Sequence, residues 1–441
     1  MGNISLGLWS FIILIAMVLF RVPIGLSMFL CGALGSWMVL GSTVPVMSQM
    51  KTVVFSTFAD YNLSVVPLFL LMGQFAAFGG ISGKLFSNAE NWLGHRKGGL
   101  AMATIGACAG FGAICGSSMA TAATMAQVAL PELRRAGYSG ALSTGTLAAG
   151  GTLGILIPPS IILVIYATLT EQNIAKLFIA AFVPGILAAI GYMIAIRIFV
   201  WKNPDEAGQV RERVPYGRRF GELARIWDIL LVFVFVLGGI YGGFFTPTEA
   251  AAVGAFGTGL IAWFKGGMTV ATLREAIFYT ASASAMMFFI VFGAMIYNSF
   301  LALTQLPQEA AAFVVELGLN PWLVMTLILV LYLILGGPMD SLSMILLTIP
   351  VIYPIMLALD FGLPPEEVGI WFGIITLIVV EVGLISPPVG MNLFVINSMA
   401  KGTSIGQTFR GVMPFLYSDI VRTAILVAFP AITLFLVRWF Y

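Results

Sequence analysis

The pattern Gly-x-x-x-Pro-Pro occurs twice in this chain, each time inside an apolar stretch long enough to cross a membrane. The copies read Gly154-Ile155-Leu156-Ile157-Pro158-Pro159 and Gly383-Leu384-Ile385-Ser386-Pro387-Pro388. A proline ring removes a backbone N–H and clashes with the preceding turn, so a helix is broken where two prolines fall together. In hydrocarbon the freed carbonyls have no water to turn to, and such a break persists only where protein or a polar cavity receives it. Breaks at corresponding places in two halves of a hydrophobic chain are the sequence mark of a secondary transporter's binding site. The expectation is a protein that moves a small solute across a membrane.

Composition narrows the class. Of 441 residues, 60% are hydrophobic and only 9% charged, with a mean hydropathy of +1.02. Soluble domains average roughly 25% charged residues, which excludes an ordinary soluble fold. The length leaves room for about a dozen spans of roughly 20 residues. A formal net charge of +2 and the lack of a basic tract give no sign of nucleic-acid binding. Cys31, Cys108 and Cys115 lie in apolar segments without zinc-like spacing and read as small hydrophobes. His95 is the only histidine, in the basic run His95-Arg96-Lys97, and its plain reading is a surface loop. The apolar segment 4–20 lacks a basic leader and a cleavage site, so it is expected to be the first membrane helix.

Thirteen apolar runs follow one another from 4–20 to 413–439. The longest charged interval, 202–225, carries six Lys/Arg and four Asp/Glu together with Pro204 and Pro215. It predicts a linker at 201–225 between two halves, and its basic excess places it on the cytoplasmic side. The first half, 1–200, is expected to hold a hairpin near 98–130 and a broken helix near 141–168. The second, 226–441, is expected to repeat them near 322–359 and 368–400. The order of landmarks recurs at low residue identity, as in an internally duplicated transporter. Spacing alone leaves open whether the repeats are parallel or inverted.

Several polar groups interrupt the apolar runs. Ser117, Ser118, Thr121 and Thr124 sit among glycines; they suit close helix packing or the tip of a re-entrant hairpin, and the nearby break favours the tip. Glu381 and Asp340 are carboxylates in apolar surroundings, where a charge costs roughly 2.5–3.5 kcal/mol on insertion scales. Each is either a functional group, a residue at the membrane interface, or an internal hydrogen-bond partner that pins the fold. Asn392 follows the second break and can serve a substrate oxygen or the freed backbone. Unwound carbonyls and hydroxyls together suit a hard cation such as sodium. A half-helix N-terminus suits an anionic substrate, and no arginine lies within the repeat motifs.

Longer motifs around these groups resemble a known family. Pro131-Glu132-Leu133-Arg134-Arg135-Ala136-Gly137-Tyr138 and Ala149-Gly150-Gly151-Thr152-Leu153 leading into the first break are one part. Met339-Asp340-Ser341 and Glu381-Val382 through Val389-Gly390-Met391-Asn392 are the other. Together they resemble the large membrane subunit of tripartite ATP-independent periplasmic (TRAP) transporters, over nearly the whole chain. The resemblance implies an all-α polytopic protein of the bacterial inner membrane, with inverted repeats, two re-entrant hairpins, two broken helices and an elevator-type moving domain. It also implies sodium-coupled uptake of an organic acid such as a C4-dicarboxylate or sialic acid, without an organic cofactor. The implied partners are a small four-helix membrane subunit and a periplasmic substrate-binding protein.

Carried over by position, one sodium site involves Ser117 and Ser118 with backbone at Gly154, Ile157 and Pro159. The other involves Gly336 with Gly383, Ser386 and Val389. Ser117, Thr121, Asp340 and Asn392 are the substrate candidates. The chain departs from the family pattern at Gly337 and Pro338, where a larger residue and Phe are usual, so the second hairpin is expected to bend differently. Two other readings remain: a stand-alone sodium/anion symporter of related architecture, and an intramembrane hydrolase using Ser117 or Asp340. The hydrolase needs a base or second carboxylate within reach, and only His95 and Glu381 are available.

Overall fold

A computed structural model of the chain describes residues 3–224, 226–265 and 267–441. Its described residues form helices throughout, with no β-strand among them. The first half runs α1 (Asn3–Leu19), α2 (Ile24–Leu40), α3 (Thr43–Phe58), α4 (Val65–Phe78) and α5 (Ile81–Leu93). It continues with α6 (Gly99–Cys115), α7 (Ser118–Arg135), α8 (Gly140–Leu156), α9 (Ile161–Thr170) and α10 (Ile174–Lys202). After the linker segment come α11 (Tyr216–Ala224), α12 (Trp227–Tyr241), α13 (Pro247–Phe264), α14 (Val270–Thr304) and α15 (Leu306–Glu316). The chain closes with α16 (Pro321–Leu335), α17 (Ser341–Ala358), α18 (Pro365–Gly383), α19 (Met391–Met399), α20 (Ile405–Ala428) and α21 (Pro430–Phe440).

The thirteen apolar runs therefore do not translate into thirteen crossings. Among the described residues, four helices are individually long and apolar enough to span a membrane: α10, α14, α17 and α20. Counting each bent pair as one span raises the number to seven. Five further apolar helices fall below 18 residues, and two of the runs bend where a hairpin and a broken helix are expected. The run 98–129 is two antiparallel arms, α6 and α7, and 141–168 is two half-helices, α8 and α9, bent by 44°. The first hairpin's second arm also continues past the expected limit to Arg135, carrying Pro131 within it. The interval expected as a plain linker holds the helix α11, and Tyr138 pairs with Ala207 as an isolated β-bridge that pins its start. α3 was not anticipated and is largely exposed.

Packing repeats between the halves with roles exchanged. The hairpin α6–α7 packs on α8, and the hairpin α16–α17 packs on α18. α9 packs on α17, and α19 packs on α7. Likewise α2 lies along α14, while α4 lies along α13. Direction identifies the symmetry. The C-terminal end of α10, the start of α8 and the start of α20 lie at the linker face, joined by Ser139 Oγ donating to Glu206 at 2.8 Å and Arg410–Glu206 at 2.8 Å. At the opposite face Lys176, at the start of α10, pairs with Glu366, at the start of α18, at 2.5 Å. There too Trp371 Nε1 donates to the Leu426 carbonyl near the end of α20, at 3.0 Å. Corresponding helices α10 and α20 thus run in opposite directions, as do α8 and α18. The repeats are inverted, and the hairpins enter from opposite faces.

Candidate functional site

The two prolines of each break remove donors from two particular carbonyls. In an α-helix the N–H at position i+4 serves the carbonyl at i, so Pro158 and Pro159 strand the oxygens of Gly154 and Ile155. Among the described residues no donor reaches either oxygen. The last bond of α8 runs from Ile157 N to Leu153 O at 3.0 Å. The chain then extends through Ile157 and restarts at Ser160, whose side chain caps α9 by accepting from Leu163 N. At the second break the equivalent oxygens are answered. Ser386 N and Oγ both donate to Gly383 O, at 3.3 and 3.1 Å, and Asn392 N donates to Leu384 O at 3.1 Å.

Each hairpin tip reaches its own break at backbone contact. A Cβ on Gly112 would lie 2.5 Å from Gly154 Cα, and one on Gly336 would lie 2.7 Å from Gly383 Cα. A Cβ on Gly154 would meet Thr121 Oγ1 at 2.4 Å and Ser117 O at 2.8 Å, while Gly116 approaches Pro159 O. Glycine leads the motif because the hairpin arm leaves no room for a side chain. Gly116 also needs its bare backbone to adopt φ +64° at the tip. In this way Ser117, Thr121, Gly154 and Pro159 come together, and Gly336, Gly383 and Val389 form a second cluster with Gly337 beside Val389. Ser117 caps α7, its Oγ accepting from Ala120 N at 3.5 Å. Thr121 Oγ1 is wholly buried with no hydrogen-bond partner in the described structure, and the same holds for both amide atoms of Asn392.

Asp340 occupies the position on the second hairpin that Ser117 occupies on the first. It caps α17, accepting from Ser343 N at 3.2 Å and from the Ser343 hydroxyl. Its carboxylate is thus engaged with its own helix. Glu381 is deeper, 1% exposed. Ser341 Oγ donates to its Oε1 at 2.6 Å, and Ser118 from the opposite hairpin faces the same carboxyl. Among the described residues its Oε2 has no hydrogen-bond partner. One carboxylate therefore lies between the two tips.

Sequence reading passed over a second buried charge cluster. Asp419 and Arg422, three residues apart on α20, lie 2.8 Å apart as an ion pair that is not aligned as a hydrogen bond. Tyr192 of α10 donates to Asp419 at 2.9 Å and lies 3.0 Å from Thr152, two residues before Gly154. The group braces α8 just ahead of its break against α10 and α20. The signal was present as Asp-x-x-Arg inside an apolar run, diluted by its hydropathy. A hydrolytic reading gains nothing from this arrangement. His95 lies at the linker face, 3.5 Å from Arg219, where desolvation, then Arg219, Arg213 and Arg96, hold its imidazole below the usual range.

Comparison with known proteins agrees with this architecture. The family model described as "Tripartite ATP-independent periplasmic transporter, DctM component" matches residues 11–432. The C4-dicarboxylate TRAP transporter large permease DctM of Pseudomonas aeruginosa is 39% identical over 389 residues, covering 87% of this chain and 88% of that protein. The sialic acid TRAP transporter large permease SiaM of Vibrio cholerae is 31% identical, covering 86% and 87%. The isethionate TRAP transporter permease DctMQ of Oleidesulfovibrio alaskensis is 33% identical over 94% of this chain and 64% of its own length. Among solved structures, the YdaH transporter of Alcanivorax borkumensis superposes with a TM-score of 0.64 at 15% identity, covering 87% of this chain and 88% of that one; the likeness is one of fold.

Proposed function

Because this chain belongs to the DctM family of TRAP transporters, as a large permease and not an enzyme, we propose that it drives uptake of a carboxylate-bearing solute with sodium. The observation that carries this reading is the pair of unanswered carbonyl oxygens at Gly154 and Ile155, next to Ser117 and Thr121. Backbone oxygens at a helix break, with a hydroxyl beside them, are the donor set a sodium ion takes in this type of transporter. Ser117, Ser118, Gly154, Ile157 and Pro159 make the first proposed cation site; Gly336, Gly383, Ser386 and Val389 make the second. Thr121 and Asn392, buried with unpartnered polar atoms, are the proposed substrate contacts. Asp340 acts mainly on its own helix and sets the second tip.

The substrate class is a small organic acid, in keeping with relatives named for C4-dicarboxylates and sialic acid. In this reading the linker face is cytoplasmic and the membrane is the bacterial inner membrane. The hairpin-bearing helices move as one body against α2, α4, α13 and α14. A small four-helix subunit and a periplasmic binding protein complete the machine.

The test is uptake into proteoliposomes holding this chain and its small partner. An inward sodium gradient and the substrate-loaded binding protein should both be required. Undiminished uptake with potassium in place of sodium would overturn the coupling. Uptake from free substrate, without the binding protein, would favour a stand-alone symporter.

A further inference from the structure

Two cavities flank the last turns of α10 at the linker face. The first, of 440 Å³, is lined by Arg96 and Lys97 from the α5–α6 loop and by Arg197 and Trp201 of α10. None of the three cations has a carboxylate partner among the described residues. Three acids of this face are committed elsewhere: Glu90 and Glu132 to Arg211, and Glu206 to Arg410. Three like charges around one concavity repel one another, and an anion between them removes the repulsion. The second cavity, of 790 Å³, is an apolar groove running between α10 and α20, with Lys202 at its mouth. Ile194, Ile198 and Trp201 face outward on α10, at 53%, 48% and 81% exposed.

Depth matches an amphiphile. Arg197 precedes the end of α10 at Lys202 by roughly 7.5 Å of helix rise, within the thickness of a headgroup layer, and Trp201 sits where interfacial tryptophans anchor. We propose that this is a binding site for an anionic glycerophospholipid. Arg96, Lys97 and Arg197 hold its phosphate, and its acyl chains lie over the Ile194–Ile198 face and in the α10/α20 groove. Basic pockets at helix ends favour acidic headgroups, and guanidinium groups suit phosphate geometry. The apolar groove beside the cations selects a lipid over free phosphate. A lipid so placed ties the loop that feeds the first hairpin to the end of α10, across a joint between elements that bear the site. The assignment rests on the membrane placement of the linker face and is independent of sodium coupling.

The experiment is lipid retention by the full chain purified in detergent, read by native mass spectrometry against phosphatidylglycerol and phosphatidylcholine of matched chains. Wild type should retain phosphatidylglycerol about tenfold better, and millimolar inorganic phosphate should not displace it. The triple variant Arg96→Gln, Lys97→Gln, Arg197→Gln should lose the preference altogether, and removing one charge should cut it up to about fivefold. Arg197→Lys should keep it, and Arg218→Gln, an exposed arginine of the linker segment, should leave it unchanged. Should the triple variant misfold, the exposed loop singles Arg96→Gln and Lys97→Gln carry the same expectation. Equal retention of both lipids by wild type, displacement by phosphate, or an undiminished preference in the charge-removed variants would overturn the assignment.

Discussion

At the first break Gly154 and Ile155 offer carbonyl oxygens that no donor among the described residues reaches, whereas at the second Gly383 and Leu384 are answered by Ser386 and Asn392. The first is also sealed: every residue from 151 to 160 is buried. At the second, Pro387, Pro388 and Val389 are exposed to a groove between α16 and α20. Charge differs as well. Two residues ahead of the motif glycine stands Thr152 in one half and Glu381 in the other, and the hairpin caps are Ser117 and Asp340. Inverted repeats have thus kept the backbone device and changed its electrostatics. On the proposed reading, the first site meets its cation with neutral backbone and hydroxyl oxygens and shares the Glu381 carboxyl only through Ser118. The second carries carboxylates on its own break and hairpin cap.

The largest effect should come from the feature the halves share. Gly154→Val and Gly383→Val each drive a side chain into the facing backbone, and each should cut sodium-driven uptake about a hundredfold, the scale of a 1 Å misplacement. If either variant transports normally, backbone contact between tip and break is dispensable in that half. Next comes the difference in charge. Glu381→Gln keeps shape and removes charge, and should raise the sodium concentration for half-maximal uptake about tenfold, as loss of an orienting partner does. An unchanged sodium dependence would reduce Glu381 to packing. The caps should behave alike despite their charges: Ser117→Ala and Asp340→Ala should each cost about 1 kcal/mol in chemical denaturation, with Asp340→Asn restoring most of it. A larger, sodium-linked loss at Asp340 alone would give that carboxylate the role argued here for Glu381. The smallest effect should be Thr152→Val, about 0.5–1 kcal/mol from its contact with Tyr192, with sodium affinity intact.

Much of this was legible because proline acts locally. Two adjacent prolines remove two identifiable donors whatever surrounds them, so the breaks and the motif glycines could be read directly. The hairpin tips were legible for a similar reason, Gly116-Ser117 supplying a left-handed residue and a cap. Asp419 and Arg422 were missed because their meaning lies in Tyr192 and Thr152, on other helices and more than two hundred residues away. The unequal treatment of the two pairs of carbonyls was beyond sequence reading, since it depends on where Ser386 and Asn392 settle after the chain has turned.

The exchange of partners between halves, α9 on α17 and α19 on α7, has a consequence for biogenesis. When the first half has entered the membrane, the half-helix beyond its break still lacks the hairpin arm it will lean on, which is yet to be synthesised. Each half is a mould for the other, so neither becomes a finished object alone. Halves expressed from separate genes should need to meet in the same membrane before either resists proteolysis.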